Sequence, residues 1–195
     1  MTAPTAYIAA NFNNTRNLDT ISNWLLTPVL NLRNGNVLTF YTRTVHTPMF
    51  PDRLQVRMST NGASTNVGST ATSVGDFTTL LLNINPNYTT NGYPNVWTQF
   101  TVTLSGLPPA GATGRLAFRY FVENAGFSGA NSDYIGIDRA VYNGPCGSPT
   151  RPPHQQLQLQ LRQRPRRLRR RLLRRGLLQR QGLSQRRRLG RSNAD

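Results

Sequence analysis
The 195-residue chain predicts an all-β fold, an antiparallel β-sandwich of the jelly-roll kind. Apolar residues recur at every second position in short segments, which is the strand period. Turn signals and long polar loops separate those segments. No amphipathic helical pattern of useful length precedes Gly144. The length suits one domain with a real core and hardly two.

The organising stretch is Ser22–Val45. Trp24, Leu25 and Leu26 form a short buried run that stops at Thr27-Pro28, because Pro28 has no amide to give a ladder. Val29, Leu30 and Leu32 continue to the turn Asn34-Gly35-Asn36. Leu38, Phe40 and Thr42 then alternate with Thr39, Tyr41 and Arg43 in a half-buried strand. Before this stretch, Ala6–Ala10 is a strand candidate and Asn11–Thr20 a polar turn. After it, Arg53–Ser59 alternates with Leu54, Val56 and Met58 inward, and Asn61-Gly62 is a hairpin-type turn. Ala63–Gly75 is a Ser/Thr/Gly-rich loop. Phe77–Ile84 reads as a strand, although Leu80-Leu81-Leu82 also suits a helical turn. Asn85–Asn95 is a second long loop. Trp97–Leu104 alternates with Phe100, Val102 and Leu104 on one face, and Leu107–Gly114 is a Pro/Gly loop. Arg115–Val122 sets Leu116, Phe118, Tyr120 and Val122 against Ala117, Arg119 and Phe121. Asn124–Ser132 is a Gly-rich loop, and Tyr134–Tyr142 is the last strand of the body. The inward set is therefore Trp24, Leu38, Phe40, Leu54, Val56, Phe100, Val102, Leu116, Phe118, Ile135 and Ile137.

The net charge of +16 is unevenly placed. Eight arginines and six carboxylates precede Arg151, so the body is nearly neutral; fifteen arginines and Asp195 follow. A basic excess of this kind points to nucleic acid or an anionic surface, but only through the tail. The single cysteine, Cys146, excludes an internal disulfide and a cysteine-based zinc site. No apolar run approaches the length of a membrane span. The first residues lack the basic and apolar regions of a signal peptide. Asn13-Asn14-Thr15 and Asn87-Tyr88-Thr89 match the glycosylation acceptor pattern, which arises readily by chance in a chain rich in Asn and Thr.

From Arg151 to Leu189 the chain uses almost only Arg, Leu, Gln, Pro and His. These are the residues whose codons begin with C. Read one base out of frame, such codons give Ser, Pro, Thr or Ala, so the tail has the composition of a misframed Pro/Thr/Ala-rich linker. Gly147-Ser148-Pro149-Thr150 already reads as the start of one. The alternative is a genuine Arg-rich arm that binds RNA. The expected organisation is a sandwich over residues 1–143, a linker start at 144–150 and a low-complexity tail at 151–195. The tail is expected to add nothing to the fold.

Six blocks together resemble the choice-of-anchor J family, relatives of the cleaved-adhesin and MAM-type jelly rolls. They are SNWLLTP at 22–28, LTFYTRT at 38–44, RLQVRMSTNG at 53–62, VWTQFTVTLSGL at 96–107, RLAFRYFV at 115–122 and NSDYIGIDRAVY at 131–142. The resemblance implies a secreted or surface-displayed bacterial module for adhesion or recognition, non-catalytic, with glycan or a host or surface protein as partner. Some relatives bind calcium or glycans. It also implies one or two strands ahead of Met1, so that one sheet would expose an apolar edge or groove.

Candidate chemistry is sparse. Asp133 and Asp138 flank the start of the last strand. Five residues apart, they point to opposite faces and are no ready acid–base pair. They are the candidate calcium ligands, Asp133 together with loop oxygens of Asn131 and Ser132; the alternative for Asp138 is a structural acceptor of amide hydrogen bonds. Asp52 and Asp76 read as turn formers. His46 has no catalytic companion in the body. Trp24 and Trp97 read as core, whereas Tyr88 and Tyr93, in a polar loop, suit either core or sugar stacking. The expected function is thus a non-enzymatic surface module. The alternative from another class is a nucleic-acid-packaging protein with a jelly-roll domain and an Arg-rich arm. A glycan-acting hydrolase is third and lacks paired carboxylates.

Overall fold
Alternation of apolar and polar residues builds two facing sheets. The computed structural model describes residues 6–144 and 160–162. Within them lie β1 (Ile8–Asn11), a 3-10 turn (Phe12–Asn14), β2 (Asp19–Leu26), β3 (Leu30–Leu32), β4 (Val37–Arg43) and β5 (Leu54–Ser59). Then follow β6 (Thr79–Ile84), β7 (Thr98–Thr103), β8 (Ala112–Ala125), β9 (Tyr134–Asn143) and β10 (Gln160–Arg162). The first sheet has the order β1-β9-β4-β7. The second has the order β10-β2-β8-β5-β6, with β3 pairing β8. Every pairing is antiparallel. The all-β sandwich expected from the sequence is the fold observed.

The core lies between the sheets. Leu38 and Phe40 of β4, Val102 of β7, and Ile135 and Ile137 of β9 meet Leu25, Leu54, Val56, Leu116, Phe118 and Val122 of the second sheet. Phe118 stands edge-on to Phe40 with centroids 4.9 Å apart, joining the two layers. Of the expected inward set only Phe100 is half-buried, because β7 ends the first sheet. Phe77–Ile84 resolves as a strand from Thr79 on. Two elements are longer than the sequence pattern suggests. β2 begins at Asp19, inside the polar turn, and β8 begins at Ala112, inside the Pro/Gly loop. In each case the partner strand extends the pairing: Asp19 lies opposite Ala125, and Thr113 opposite Asn31.

The outer face of the second sheet is also buried. The loop 60–78 folds over it and encloses a second small core of Trp24, Leu26, Phe77 and Ala117, flanked by Val67 and Val74. Trp24 therefore is core, but on the outside of its sheet. Beside it runs a stack of alternating rings and guanidinium groups. Arg119 lies 4.9 Å from the Trp24 ring and 3.7 Å from the Phe121 ring. Arg53 lies 4.3 Å from the other partner it shares, Phe121, and 4.7 Å from Tyr88. Such contacts gain strength when water is excluded. Arg119 is 1% exposed and donates to Ser22 Oγ, Gln55 Oε1 and the carbonyl of Ala71, so it also fastens the loop to the sheet.

β10 corrects one expectation. Three tail residues, Gln160–Arg162, add a strand to the edge of β2, so the tail does contribute to the fold. The rest of 145–195 lies outside the described residues, and with it the linker and frame readings.

Phe77 is fully buried against Trp24, with centroids 5.6 Å apart. Phe77→Ala should cost about 3 kcal/mol through lost burial and a residual cavity. Urea unfolding should show it as a lower midpoint, with the loop 60–78 becoming cleavable by protease before the rest of the domain.

Candidate functional site
Four loops meet at one end of the sandwich, and a buried carboxylate organises them. They join β1 to β2, β4 to β5, β6 to β7 and β8 to β9. Asp52, in the β4–β5 loop, is 1% exposed. Its Oδ1 accepts from Tyr120 Oη at 2.6 Å and from the amide of Asp133 at 3.0 Å. Its Oδ2 accepts from Thr44 Oγ1 at 2.7 Å and from the amide of Tyr134 at 3.3 Å. Burial pushes the Asp52 carboxyl above the usual carboxylate range, and the four donors pull it part of the way back. The carbonyl of Asp52 takes a bond from Asn85 Nδ2, which brings in the β6–β7 loop. The sequence marked Asp52 only as a turn former; its burial between strands far apart in sequence was not visible.

This network positions an aromatic patch on the outer face of the first sheet. Tyr134 follows the amide that Asp52 holds and opens β9. Thr42 Oγ1 donates to the carbonyl of Gly136 and shares a 2.6 Å hydrogen bond with the buried Tyr93 hydroxyl. The amide of Thr44 donates to the carbonyl of Pro94, fixing the approach to Trp97. The rings of Tyr7 and Trp97 then meet edge-on, centroids 5.3 Å apart, and Tyr134 completes the patch 6.5 Å from Tyr7. Gly136 lies beneath. A Cβ there would sit 2.9 Å from the Trp97 ring and 3.2 Å from Tyr7, so only glycine lets the rings converge. Tyr7 is 51% exposed and Trp97 38% exposed. This overturns the core reading of Trp97. Trp97 has the parity of Thr101 and Thr103, opposite to Phe100 and Val102, so the strand alternation itself turns it outward. The Tyr134 hydroxyl is pushed up by burial and by its hydrogen bond with Tyr7, so it remains a neutral phenol.

Polar side chains surround the rings. Pairing sets Arg43 opposite Gly136, Tyr41 opposite Asp138 and Gln99 opposite Tyr41, all on this outer face. Arg139 takes φ of 48° at the bulge that follows Asp138. Apolar side chains also project from the loops: Phe127 is 84% exposed and Met49 78%. Tyr93 is buried, and Tyr88 is half-buried on Arg53, so neither is a free stacking surface.

The structure does not bring Asp133 and Asp138 together. A strand rise of about 3.3 Å per residue sets them roughly 16 Å apart. Asp133 Oδ2 accepts the amide of Met49, and Asp138 Oδ1 accepts the amide of Arg139. Among the described residues no three His, Cys, Asp or Glu side chains gather. His46 is exposed, and its carbonyl accepts from Asn95 Nδ2. Asp76 accepts from Asn61 and Ser64, bonds that hold its carboxyl below the usual range and stabilise the loop 60–78.

Fold and site together define a β-sandwich that presents a braced aromatic surface. No family model matches the chain, and no curated protein matches it. Among solved structures it is similar to cleaved adhesin domains of Lys-gingipain from Porphyromonas gingivalis W83. The K3 domain is 22% identical, with 71% of this chain and 74% of that one covered and a TM-score of 0.45. The K1 domain is 19% identical over 73% of this chain and 92% of that one, with a TM-score of 0.41. The K2 domain of Lys-gingipain is 23% identical over 73% and 75%, with a TM-score of 0.43.

Asp52→Ala should cost about 3 kcal/mol at neutral pH, because two hydroxyls and two amides lose their acceptor. The pH dependence has a definite sign. With the folded pKa raised, the folded state holds the proton longer than the unfolded state. Stability from this group is therefore full below the unfolded value of about 3.9 and falls as pH rises through the folded value. Urea unfolding across pH should show the gap between wild type and Asp52→Ala widest in acid and narrowing above it.

Proposed function
We propose that this chain is a non-catalytic recognition module of a bacterial surface or secreted protein, of the choice-of-anchor J kind, and that its ligand is a glycan. The observation that carries this reading is the exposed aromatic patch of Tyr7, Trp97 and Tyr134 over Gly136. Aromatic faces carry partial negative charge and attract the C–H groups of a sugar ring. Arg43, Tyr41, Gln99 and Asp138 share the same outer sheet face and supply donors and acceptors for hydroxyls. Rings held by a rigid network lose little entropy on binding. Asp133 and Asp138 have no shared metal role in this reading. The fifteen arginines of the tail favour a second reading, nucleic-acid packaging. A packaging arm would keep a sequence preference at physiological salt, whereas an opportunistic one would bind all RNA weakly and release it as salt rises.

The chain has two tryptophans, and Trp24 is buried. Acrylamide should therefore quench mainly Trp97. Titration with xylan, hydroxyethyl cellulose, galactan and a sialylated mucin should identify one that shields it. Trp97→Ala and Tyr7→Ala should then weaken binding about tenfold or more in affinity electrophoresis. Their stability should change by about 1 kcal/mol or less. If no polysaccharide alters the quenching, or both variants bind as wild type does, the patch is not a glycan site.

A further inference from the structure
The outer face of the first sheet carries a charge pattern that a neutral sugar leaves unused. Alternation turns Thr39, Tyr41 and Arg43 of β4 outward, because Leu38, Phe40 and Thr42 are buried. Arg43 stands opposite Gly136, the floor beneath the Tyr7 and Trp97 rings. Its Nε donates to the carbonyl of Thr44 at 2.8 Å, which steadies the guanidinium and leaves its two terminal nitrogens for a ligand. Its charge reaches the Tyr134 hydroxyl, so it lies at the rim of the ring cluster. Among the described residues no carboxylate sits within ion-pair distance of Arg43. A second arginine follows on β9. Arg139 and Ala140 together oppose Phe40 in a bulge; Ala140 packs on the core while Arg139 is exposed. Arg139 takes φ of 48°, a left-handed state that a residue with a Cβ adopts only at a cost. Among the described residues its guanidinium has no partner, so no side-chain contact within the fold offsets that strain. Strained positions of this kind collect at binding sites. Asp138, beside it, is the one carboxylate in the described strands of this face, and its Oδ1 accepts the amide of Arg139.

We propose that the glycan bound over Gly136 is acidic, a sugar chain that bears carboxylates, and that Arg43 receives the carboxylate of the unit stacked on Tyr7 and Trp97. This rests on the glycan reading of the patch and names its substrate class. A planar guanidinium presents parallel donors that fit the two oxygens of a carboxylate. Beside apolar rings the attraction is less screened than in open water. Arg139 serves a further unit of the same chain. It lies beyond Gly136 along β9 by roughly 10 Å, at a strand rise of about 3.3 Å. Asp138 lies between the two arginines. It accepts a sugar hydroxyl and disfavours a carboxylate at its own position, so the spacing of charges along the glycan matters. The strain at Arg139 then has a use, because the bulge delivers a second cation beside the face.

Short oligosaccharides and Trp97 fluorescence test it on the full chain. The fifteen arginines of the tail attract any polyanion, so the readout is shielding of Trp97 from acrylamide, which a ligand held by the tail does not produce. The probes are trigalacturonic acid and trisialic acid, each beside its methyl ester, and neutral galactotriose. Wild type should bind one of the acids at least tenfold more tightly than its ester and than galactotriose, and the preference should shrink as salt rises. The acid preferred tells a uronate from a sialic acid. Arg43→Gln should bring the ratio of acid to ester close to one. Arg139→Gly should lower it several-fold. Glycine accepts φ of 48° without strain, so this variant should resist urea at least as well as wild type, which separates lost binding from lost fold. If a neutral sugar or an ester shields Trp97 as well as the acids do, the glycan reading stands and the acidic inference is overturned. An unchanged ratio in either variant also overturns it. If none of these sugars and none of the polysaccharides shields Trp97, the glycan reading fails and this inference fails with it.

Discussion

The loop end of this protein depends on one buried carboxylate. Asp52 sits where β4, β8 and β9 converge and gives each a fixed contact: Thr44 just after β4, Tyr120 within β8, and the two amides that open β9. Four donors aimed at two oxygens leave no freedom in the relative height of those elements. Burial makes the arrangement costly and for the same reason makes it specific, because an unpaired donor in that interior is worse than a formed bond is good. The aromatic patch inherits this precision. Tyr134 is fixed through its own amide, Gly136 through its carbonyl, and Trp97 through the hydrogen bond between Thr44 and Pro94.

The two faces of the second sheet show how polar residues extend an interior. Between the sheets the packing is aliphatic and aromatic. On the outside, Arg53 and Arg119 alternate with the rings of Trp24, Phe121 and Tyr88. A guanidinium is flat and weakly hydrated, so it stacks where an ammonium would demand water. Its edge donors stay free for the sheet and the loop, as in the bonds from Arg53 to the carbonyl of Phe121 and from Arg119 to that of Ala71. The salt bridge from Arg53 to Glu123 is half open to solvent and adds little by itself. A loop of Ser, Thr and Gly thus becomes a packed layer, pinned by Phe77.

The strands were legible because one side of each faces a dry core, and period two is the direct trace of that. Leu38 and Phe40, Leu54 and Val56, and Leu116 and Phe118 all point where the alternation says. What escaped the sequence depends on contacts between distant segments. Ala117, Arg119 and Phe121 look like a solvent face until the loop 60–78 covers them. Asp52 looks like a turn residue because its partners lie up to 82 positions away. Trp97 looks like core because its size suggests burial, yet its register beside Arg43 turns it outward. The strand at Gln160–Arg162 escaped because the arginines around it give the segment the composition of a solvated, charged tail.

Edge management ties these features together. The described residues leave β1, β7, β6 and β2 at the sheet margins, apart from what β10 covers. β1 is four residues long, too short to template another strand. β7 carries exposed Thr101 and Thr103 on its outer face, and β6 is bulged against β5 between Val56 and Arg57. Only β2 is both long and apolar at its end, and it is the edge that a tail strand meets. Removing that strand would leave the β2 edge unpaired beside an apolar groove lined by Ile8, Leu25 and Ile137. The aromatic patch lies on the opposite sheet, over Gly136 and facing outward. The aromatic patch and the β2 edge can therefore be altered separately, and a defect in one need not disturb the other.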